Sequence, residues 1–407
     1  MKKLIASLQL QKLFHLKSQG QSMKPLLFPN DILYYKKAAF PKIKTNDLVM
    51  IRKGNNLFTH RIIFKTSRYL ITKGDNNPQS DGKLYPHQII GKVIKVKRDG
   101  KEFDPNQIYL LQSSLYFQEI IKIKEVFEKE KVDFTFLKGL PLHLYFEKTH
   151  PKRIYADCDV LVDKKDFLKA EKVLLKNGYK KAENHWSKTI KKMQERIIEE
   201  TYYKELNGFL VVFDIHLEVD LLIVHLGTLE ALYPQKLIDQ LSDEFLKTKK
   251  IVKINGEFFF ILNTKYLILY LALHFFHHNF LGTFRLDFLD KVVRKSRLST
   301  DDWQNIASTI KEYKLNNFVS PVFVLLKKYY QTPLPDFMNF KNFINFNNSS
   351  IFDDEPRIKA GITRFKNIFF LSPYPLWRKI FVFTNFEVIY TIFWIVFRRL
   401  SFHRKSA

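Results

Sequence analysis

The sequence predicts a multi-domain protein in which a small, mostly β domain is followed by an α/β domain and a C-terminal helical subdomain. Three observations carry that reading. Short apolar runs broken by turn residues fill residues 19–97, strand-like and helical runs alternate across 108–240, and helical periodicity prevails over 241–340. With 407 residues, 46% of them hydrophobic and 27% charged, the chain is long enough for two or three ordinary cores and too apolar to stay unfolded.

Each element has a local reason. Residues 1–18 read as an amphipathic segment in which Leu4, Ile5, Leu8, Leu10, Leu13 and Phe14 are interrupted by Lys, Gln and His. That run is too short and polar to span a bilayer or to act as a signal h-region. Five strands are expected at Asp31–Tyr35, Leu48–Arg52, Phe58–Phe64, Tyr69–Lys73 and Ile89–Val96, separated by turn formers such as Pro29-Asn30, Asn46-Asp47 and Gly74-Asp75-Asn76. Residues 98–107, with Gly100 and Pro105, read as a linker. A helix over Ile108–Lys131, a strand Val132–Leu137 and a helix from Gly139 to Phe146 follow. Strands Asp159–Val162 and Phe209–Ile215 flank a helix Lys165–Asn177, and further helices are expected at Tyr266–Phe276, Arg285–Lys295, Trp303–Tyr313 and Phe318–Tyr330.

Residues 341–407 form a basic, aromatic-rich tail. Within it Ile380–Phe397 is mostly apolar, but Glu387 at mid-bilayer would cost about 2.5 kcal/mol or more. The stretch is therefore expected to lie on an anionic membrane surface or to pack on the body of the protein. The net charge of +26 is spread along the chain and draws anions of any kind; it does not by itself point to sequence-specific nucleic-acid binding. A single cysteine, Cys158, excludes an internal disulfide and is expected to face away from its acidic neighbours as a small buried residue.

Two sets of residues carry chemistry. In Gly20-Gln21-Ser22-Met23-Lys24-Pro25 the composition favours a tight exposed turn, and Ser22 becomes a nucleophile if a base reaches it. His60, in the strand-like Thr59-His60-Arg61, is the candidate base; the polar loop after it holds Asp75, and Asp81 follows. In the second set, Lys138-Gly139 joins a strand to a helix, where backbone amides and an ammonium can meet a phosphate. Asp157 and Asp159 share one face of a strand, and Asp214 ends another and precedes His216. Three carboxylates so placed suit Mg²⁺ or Mn²⁺ with a nucleoside triphosphate as substrate.

The first set, with Lys73-Gly74-Asp75-Asn76-Asn77 and the closing Ile89-Ile90-Gly91-Lys92-Val93, resembles the type I signal peptidases of the serine-histidine branch over about Gln19–Val96. The resemblance implies Ser22 as nucleophile, His60 as general base and Asp81 as the group that orients it, with Asp75 as second choice for that role. Asn30-Asp31 and Asn46-Asp47 stand where that family has Gly-Asp, and asparagine tolerates the left-handed backbone such turns need. The second set resembles an uncharacterised family of the nucleotidyltransferase superfamily over about Ile108–Pro335. That likeness implies catalytic and metal-holding roles for Asp157, Asp159 and Asp214, and cofactor-binding roles for Lys138, Gly139, Arg153 and His216; it continues through His274, His277, His278 and Arg285-Leu286-Asp287-Phe288.

The joint expectation is a bifunctional protein with a peptide or protein substrate at one site and a nucleoside triphosphate at the other. The alternatives are that one or both domains only bind peptide or nucleotide, or that the peptidase cleaves only itself. No span is expected between the two sites, so both should share a compartment, and triphosphate with Mg²⁺ makes that compartment the cytoplasm.

Overall fold

A computed structural model describes residues 13–24, 26–155, 157–182, 197–219, 221, 232–338, 351–384 and 389. Residues 1–12 and Pro25 lie outside the described residues, as do 385–388 and 390–397 of the Ile380–Phe397 stretch and residues 398–407 beyond it. No helix among the described residues is long and apolar enough to cross a membrane.

The N-terminal lobe is an all-antiparallel eight-stranded sheet: β1 (Leu13–Lys17), β2 (Ile32–Lys36), β3 (Leu48–Lys53), β4 (Asn56–Lys65), β5 (Leu70–Lys73), β6 (Ser80–Leu84), β7 (Ile89–Arg98) and β8 (Lys101–Phe103). Its order is β1-β2-β7-β3-β4-β5-β6, with β8 paired to β7. All five expected strands are present, and three were missed. The end of the supposed amphipathic segment is β1, where Phe14 is buried between exposed Leu13 and His15 in a period of two. The supposed linker is a hairpin: Asp99 and Gly100 both take positive φ, 48° and 80°, as a type I′ turn requires. The third, β6, carries Asp81 out of the polar loop onto a strand. Asn30 and Asn46 hold φ of 77° and 73°, so the left-handed turns survive without glycine.

The second lobe begins with α1 (Gln107–Lys129), β9 (Phe134–Phe136), α2 (Leu140–Glu147), β10 (Cys158–Val162), α3 (Phe167–Lys176), β11 (Lys180–Lys181), β12 (Glu199–Leu206) and β13 (Phe209–His216). It continues through α4 (Gln235–Lys247), β14 (Lys250–Ile254) and β15 (Glu257–Ile261) to the helices α5 (Thr264–His277), α6 (Thr283–Ser296), α7 (Thr300–Glu312) and α8 (Asn316–Tyr330). The seven strands form one mixed sheet, β11-β12-β13-β10-β9-β15-β14, parallel only at β10/β13 and β9/β15. The sequence reading missed β11, β12, β14, β15 and α4. It placed the helical part from residue 241, whereas β14 and β15 lie beyond that point and complete the α/β sheet.

One large core runs from α1 through the sheet into α5–α8, and two smaller clusters lie within the N-terminal sheet. Tyr109, on α1, is buried in one of the smaller clusters, so the first turn of the second lobe is seated in the first. Phe64 on β4 meets the edges of Tyr329 and Tyr330 and lies 5.3 Å from the Phe352 ring. The lobes are therefore packed on each other rather than strung on a flexible connection.

Two candidate active sites

Strand order builds the first site. His60 sits on β4 and Asp81 on β6, with β5 between them, while Ser22 comes from the turn before β2. The His60 Nδ1 lies 2.7 Å from Asp81 Oδ2, and Nε2 lies 3.0 Å from Ser22 Oγ. Because a carboxylate oxygen only accepts, Nδ1 carries the proton and Nε2 presents a lone pair to the serine hydroxyl. The imidazole is 6% exposed and packs on the Phe58 ring at 4.8 Å. Thr72 on β5, fully buried, donates its hydroxyl to the same Asp81 oxygen at 2.6 Å and fixes the carboxylate. Nothing in its spacing distinguished Thr72 from an ordinary strand threonine.

Asp75 takes a different part. It receives Arg61 in a bidentate pair, Nε to Oδ1 at 2.7 Å and Nη2 to Oδ2 at 2.6 Å. Arg61 also donates to Asn46 O and to the Tyr109 hydroxyl, so the pair joins the Lys-Gly-Asp turn to α1. Asp75 as orienter of His60 is thereby corrected: its lone pairs are directed at a guanidinium. The same turn touches the serine, since Asn76 N donates to Ser22 O at 2.7 Å and a Cβ on Gly74 would meet that oxygen at 2.7 Å. The neighbouring ammonium groups are engaged elsewhere, Lys73 with Asp354 at 2.6 Å and Lys24 with Gln21 at 3.4 Å.

The second site rests on a register. In the parallel pair β10/β13, Asp159 stands opposite Asp214, and Asp157 lies one residue before β10 on the face away from Cys158, which is fully buried. Asp214 lies two residues inside its strand rather than at its end. Carboxylate oxygens of Asp157, Asp159 and Asp214 all lie within 4.8 Å of one another. Burial, then Asp159 and Glu199, push the Asp214 carboxyl up to about 7, although Thr201 donates to it at 2.6 Å. Burial would also raise Asp159, but Lys138 at 2.5 Å and His216 at 3.1 Å outweigh it and hold its carboxyl near 2. Lys138 touches Asp157 as well, at 3.2 Å, and the two carboxylates keep its ammonium above its ordinary range despite burial. An all-oxygen, partly desolvated triad of acids fits a hard divalent cation such as Mg²⁺ or Mn²⁺.

The other residues of this set fall into two places. His216 is buried against Asp159 and supports that carboxylate. Gly139, at φ +97° before α2, brings the chain so close that a Cβ would stand 3.2 Å from Asp157 O. Lys138, Gly139, Arg153 and Asp157 line one cleft of about 330 Å³ together with Phe284 and Arg285. The Arg153 guanidinium lies over both the Tyr155 and Phe284 rings, at 4.2 and 4.5 Å. His274, His277 and His278 are packed into α5 and its cap; burial holds all three well below the ordinary histidine range, and they make no metal cluster among the described residues.

The profile of a family described as uncharacterised nucleotidyltransferases matches residues 106–331, more than half of the chain. The chain belongs to that family. The match contains Lys138, Gly139, Arg153, Asp157, Asp159, Asp214 and His216, so this nucleotidyltransferase family member keeps its acidic triad within the matched span, while Ser22, His60 and Asp81 lie before it. Among solved structures it is similar to an antigenic nucleotidyltransferase-like protein from Paracoccidioides brasiliensis, at 12% identity and a TM-score of 0.30, covering 57% of this chain and 96% of that one. No curated protein matches.

Proposed function

We propose that the second lobe performs metal-dependent nucleotidyl transfer from a nucleoside triphosphate. The observation that carries this is the Asp157-Asp159-Asp214 cluster, with Asp159 and Asp214 on adjacent parallel strands and Asp157 just before the first of them, within the span of the nucleotidyltransferase family. A divalent cation held there would neutralise charge on the triphosphate and activate the attacking oxygen. Lys138 neutralises Asp157 and Asp159 and is placed to pass to a phosphate oxygen when a cation takes over those carboxylates. Gly139 lets the start of α2 approach the nucleotide. Incubating the purified chain with α-labelled nucleoside triphosphates, Mg²⁺ and cell extract tests the reading: label should pass to an acceptor, and loss of the three carboxylates should stop it. Transfer that persists in the triple Asn variant would sink the idea.

We further propose that the first lobe is a serine hydrolase acting on a peptide or protein. The Ser22-His60-Asp81 relay supports this: Asp81 holds Nδ1–H, which leaves Nε2 to take the Ser22 proton as the hydroxyl attacks a carbonyl. A fluorophosphonate probe should label Ser22, and the label should vanish in His60→Ala. Equal labelling of that variant would show that the imidazole does not activate the serine. Cytoplasmic placement and contact with a membrane surface through residues 341–407 belong to the same proposal.

A further inference from the structure

Arg285 stands in the cleft beside the acidic triad in an unusual environment. It opens α6 at its third residue, at the end of the helix where the dipole is positive and where no acidic side chain lies in the first turn. Among the described residues it has no carboxylate at ion-pair distance. Its hydrogen-bond partners are two histidines and a carbonyl: Nε donates to His274 Nε2 at 3.4 Å, Nη2 to His278 Nε2 at 3.2 Å and Nη1 to Leu281 O at 3.4 Å. Arginine only donates, so both imidazoles accept and both are neutral, in line with burial holding them well below their usual range. They orient the guanidinium without neutralising it. Burial and then Arg153 lower its pKa to about 10, which leaves it charged at neutral pH. Gly282 makes the arrangement possible, because a Cβ there would stand 2.6 Å from Arg285 Nη1.

Two of the five Arg285 N–H groups remain for a ligand once those three bonds are counted. His274, 6% exposed and lining the cleft, has its Nε2 occupied as acceptor, so its Nδ1 carries a proton for which no partner exists among the described residues. Arg153, which also lines the cleft and shares the Phe284 ring with Arg285, has aromatic faces for neighbours and likewise no carboxylate at ion-pair distance among the described residues. Two guanidiniums without a carboxylate at ion-pair distance among the described residues and a helix N-terminus meet in a cleft that Lys138 and Asp157, one member of the acidic triad, also line.

We propose that Arg285 and Arg153 form the subsite for the β- and γ-phosphates of the nucleoside triphosphate, with the α-phosphate toward Asp157 and Lys138. The assignment rests on the nucleotidyl-transfer reading above. It gives the cleft a direction, since the leaving pyrophosphate is the part recognised by arginine. A different occupant, an anionic group on the acceptor, would use the same chemistry and is separated by the test.

The test is equilibrium binding of a nucleoside triphosphate with a non-cleavable α,β-bridge, and of the matching monophosphate, both with Mg²⁺. Arg285→Gln should weaken the triphosphate about 10- to 100-fold, the range for losing a charge-assisted bidentate contact, and leave the monophosphate within twofold. Arg153→Gln, which breaks no hydrogen bond among the described residues, should act in the same direction and carries the test if Arg285→Gln fails to fold. Unchanged triphosphate affinity in the folded variants would overturn the subsite, and so would an equal loss for the monophosphate. Failure of the unaltered protein to bind either nucleotide would instead overturn the transfer reading on which the subsite depends.

Discussion

The Lys73 ammonium lies 2.6 Å from a carboxylate oxygen of Asp354, 281 residues further along the chain. Beside it, Asp353 Oδ1 accepts from Ser80 N and Pro78 O accepts from Asp354 N, both at 2.8 Å. Residues 351–354 thus clasp the loop that leads into Asp81, and Gly282 N holds Ile351 O at 3.1 Å on the transferase side. Asp354 is two-thirds exposed, so its ion pair is worth little, about 0–1 kcal/mol. Asp354→Ala should leave the melting temperature nearly unchanged. Asp353→Ala removes the acceptor for the part-buried Ser80 amide and should cost about 1–2 kcal/mol, with slower fluorophosphonate labelling of Ser22. Unchanged labelling in a folded Asp353→Ala protein would show that the clasp does not position Asp81.

The same packing bears on fragments. Truncation to residues 106–407 bares Tyr109 and the aromatic seat of Phe64. A fully buried aromatic contributes about 1.5–3 kcal/mol, so the fragment should melt well below the intact chain in calorimetry. A fragment as stable as the whole would mean that the interlobe contacts contribute nothing.

Asp75 and Asp81 should fail in different ways. Asp81→Asn leaves His60 in the wrong tautomer or unsupported, and should cut serine labelling by orders of magnitude while the protein stays folded. Asp75→Ala strands the buried Arg61 guanidinium, and breaking such a pair typically costs about 3–5 kcal/mol. Its primary effect should therefore be a lower melting temperature. Comparing thermal melts with labelling rates separates the two, and the reverse pattern would exchange the roles assigned to them.

How much of this was legible in the sequence depends on which force decides each element. Periodicity set by burial was readable, so the five strands 31–96 and the helices from 264 to 330 lie near their expected bounds. Elements held by pairing alone were not: β8 is three residues long, β6 begins Ser80-Asp81-Gly82, and β12 is rich in Glu, Lys and Tyr with one side exposed. Carboxylates and the Ser-His pair were found because their residue types imply the chemistry. Spacing alone did not separate Asp81 from Asp75, since it says nothing about which carboxylate lies two strands away from His60; only the family resemblance ranked Asp81 first. Arg285 was visible as a motif residue, but its lack of a counter-charge exists only in three dimensions.

Metal binding should depend on pH through Asp214. Its carboxyl is raised from 3.8 to about 7 in the folded chain, so the native state holds a proton that the unfolded state releases. Stability from this group is present below the unfolded value and is lost as pH rises towards 7, when the acid must ionise next to Asp159. A cation reverses that penalty and competes with the proton. Added Mg²⁺ should therefore raise the melting temperature more at pH 8 than at pH 6, and Asp214→Asn should flatten the difference. A shift that is independent of pH would place the cation away from Asp214.

Gly139 is the position where backbone and site are most tightly coupled. Its φ of +97° is strained for any residue with a Cβ, and the added methyl would stand 3.2 Å from the carbonyl that precedes the Cys158 amide. Relief requires Asp157 to move, and Asp157 is both a Lys138 partner and a member of the acidic triad. Gly139→Ala should cost about 1–3 kcal/mol in stability, and it should weaken Mg²⁺-dependent triphosphate binding beyond what that loss explains. The control is Gly178→Ala, also at positive φ, +82°, but with nothing within 4 Å of the added methyl. Both changes should destabilise, and only Gly139→Ala should alter nucleotide affinity. If Gly178→Ala weakened the nucleotide equally, general loosening of the lobe, and not displacement of Asp157, would account for the effect.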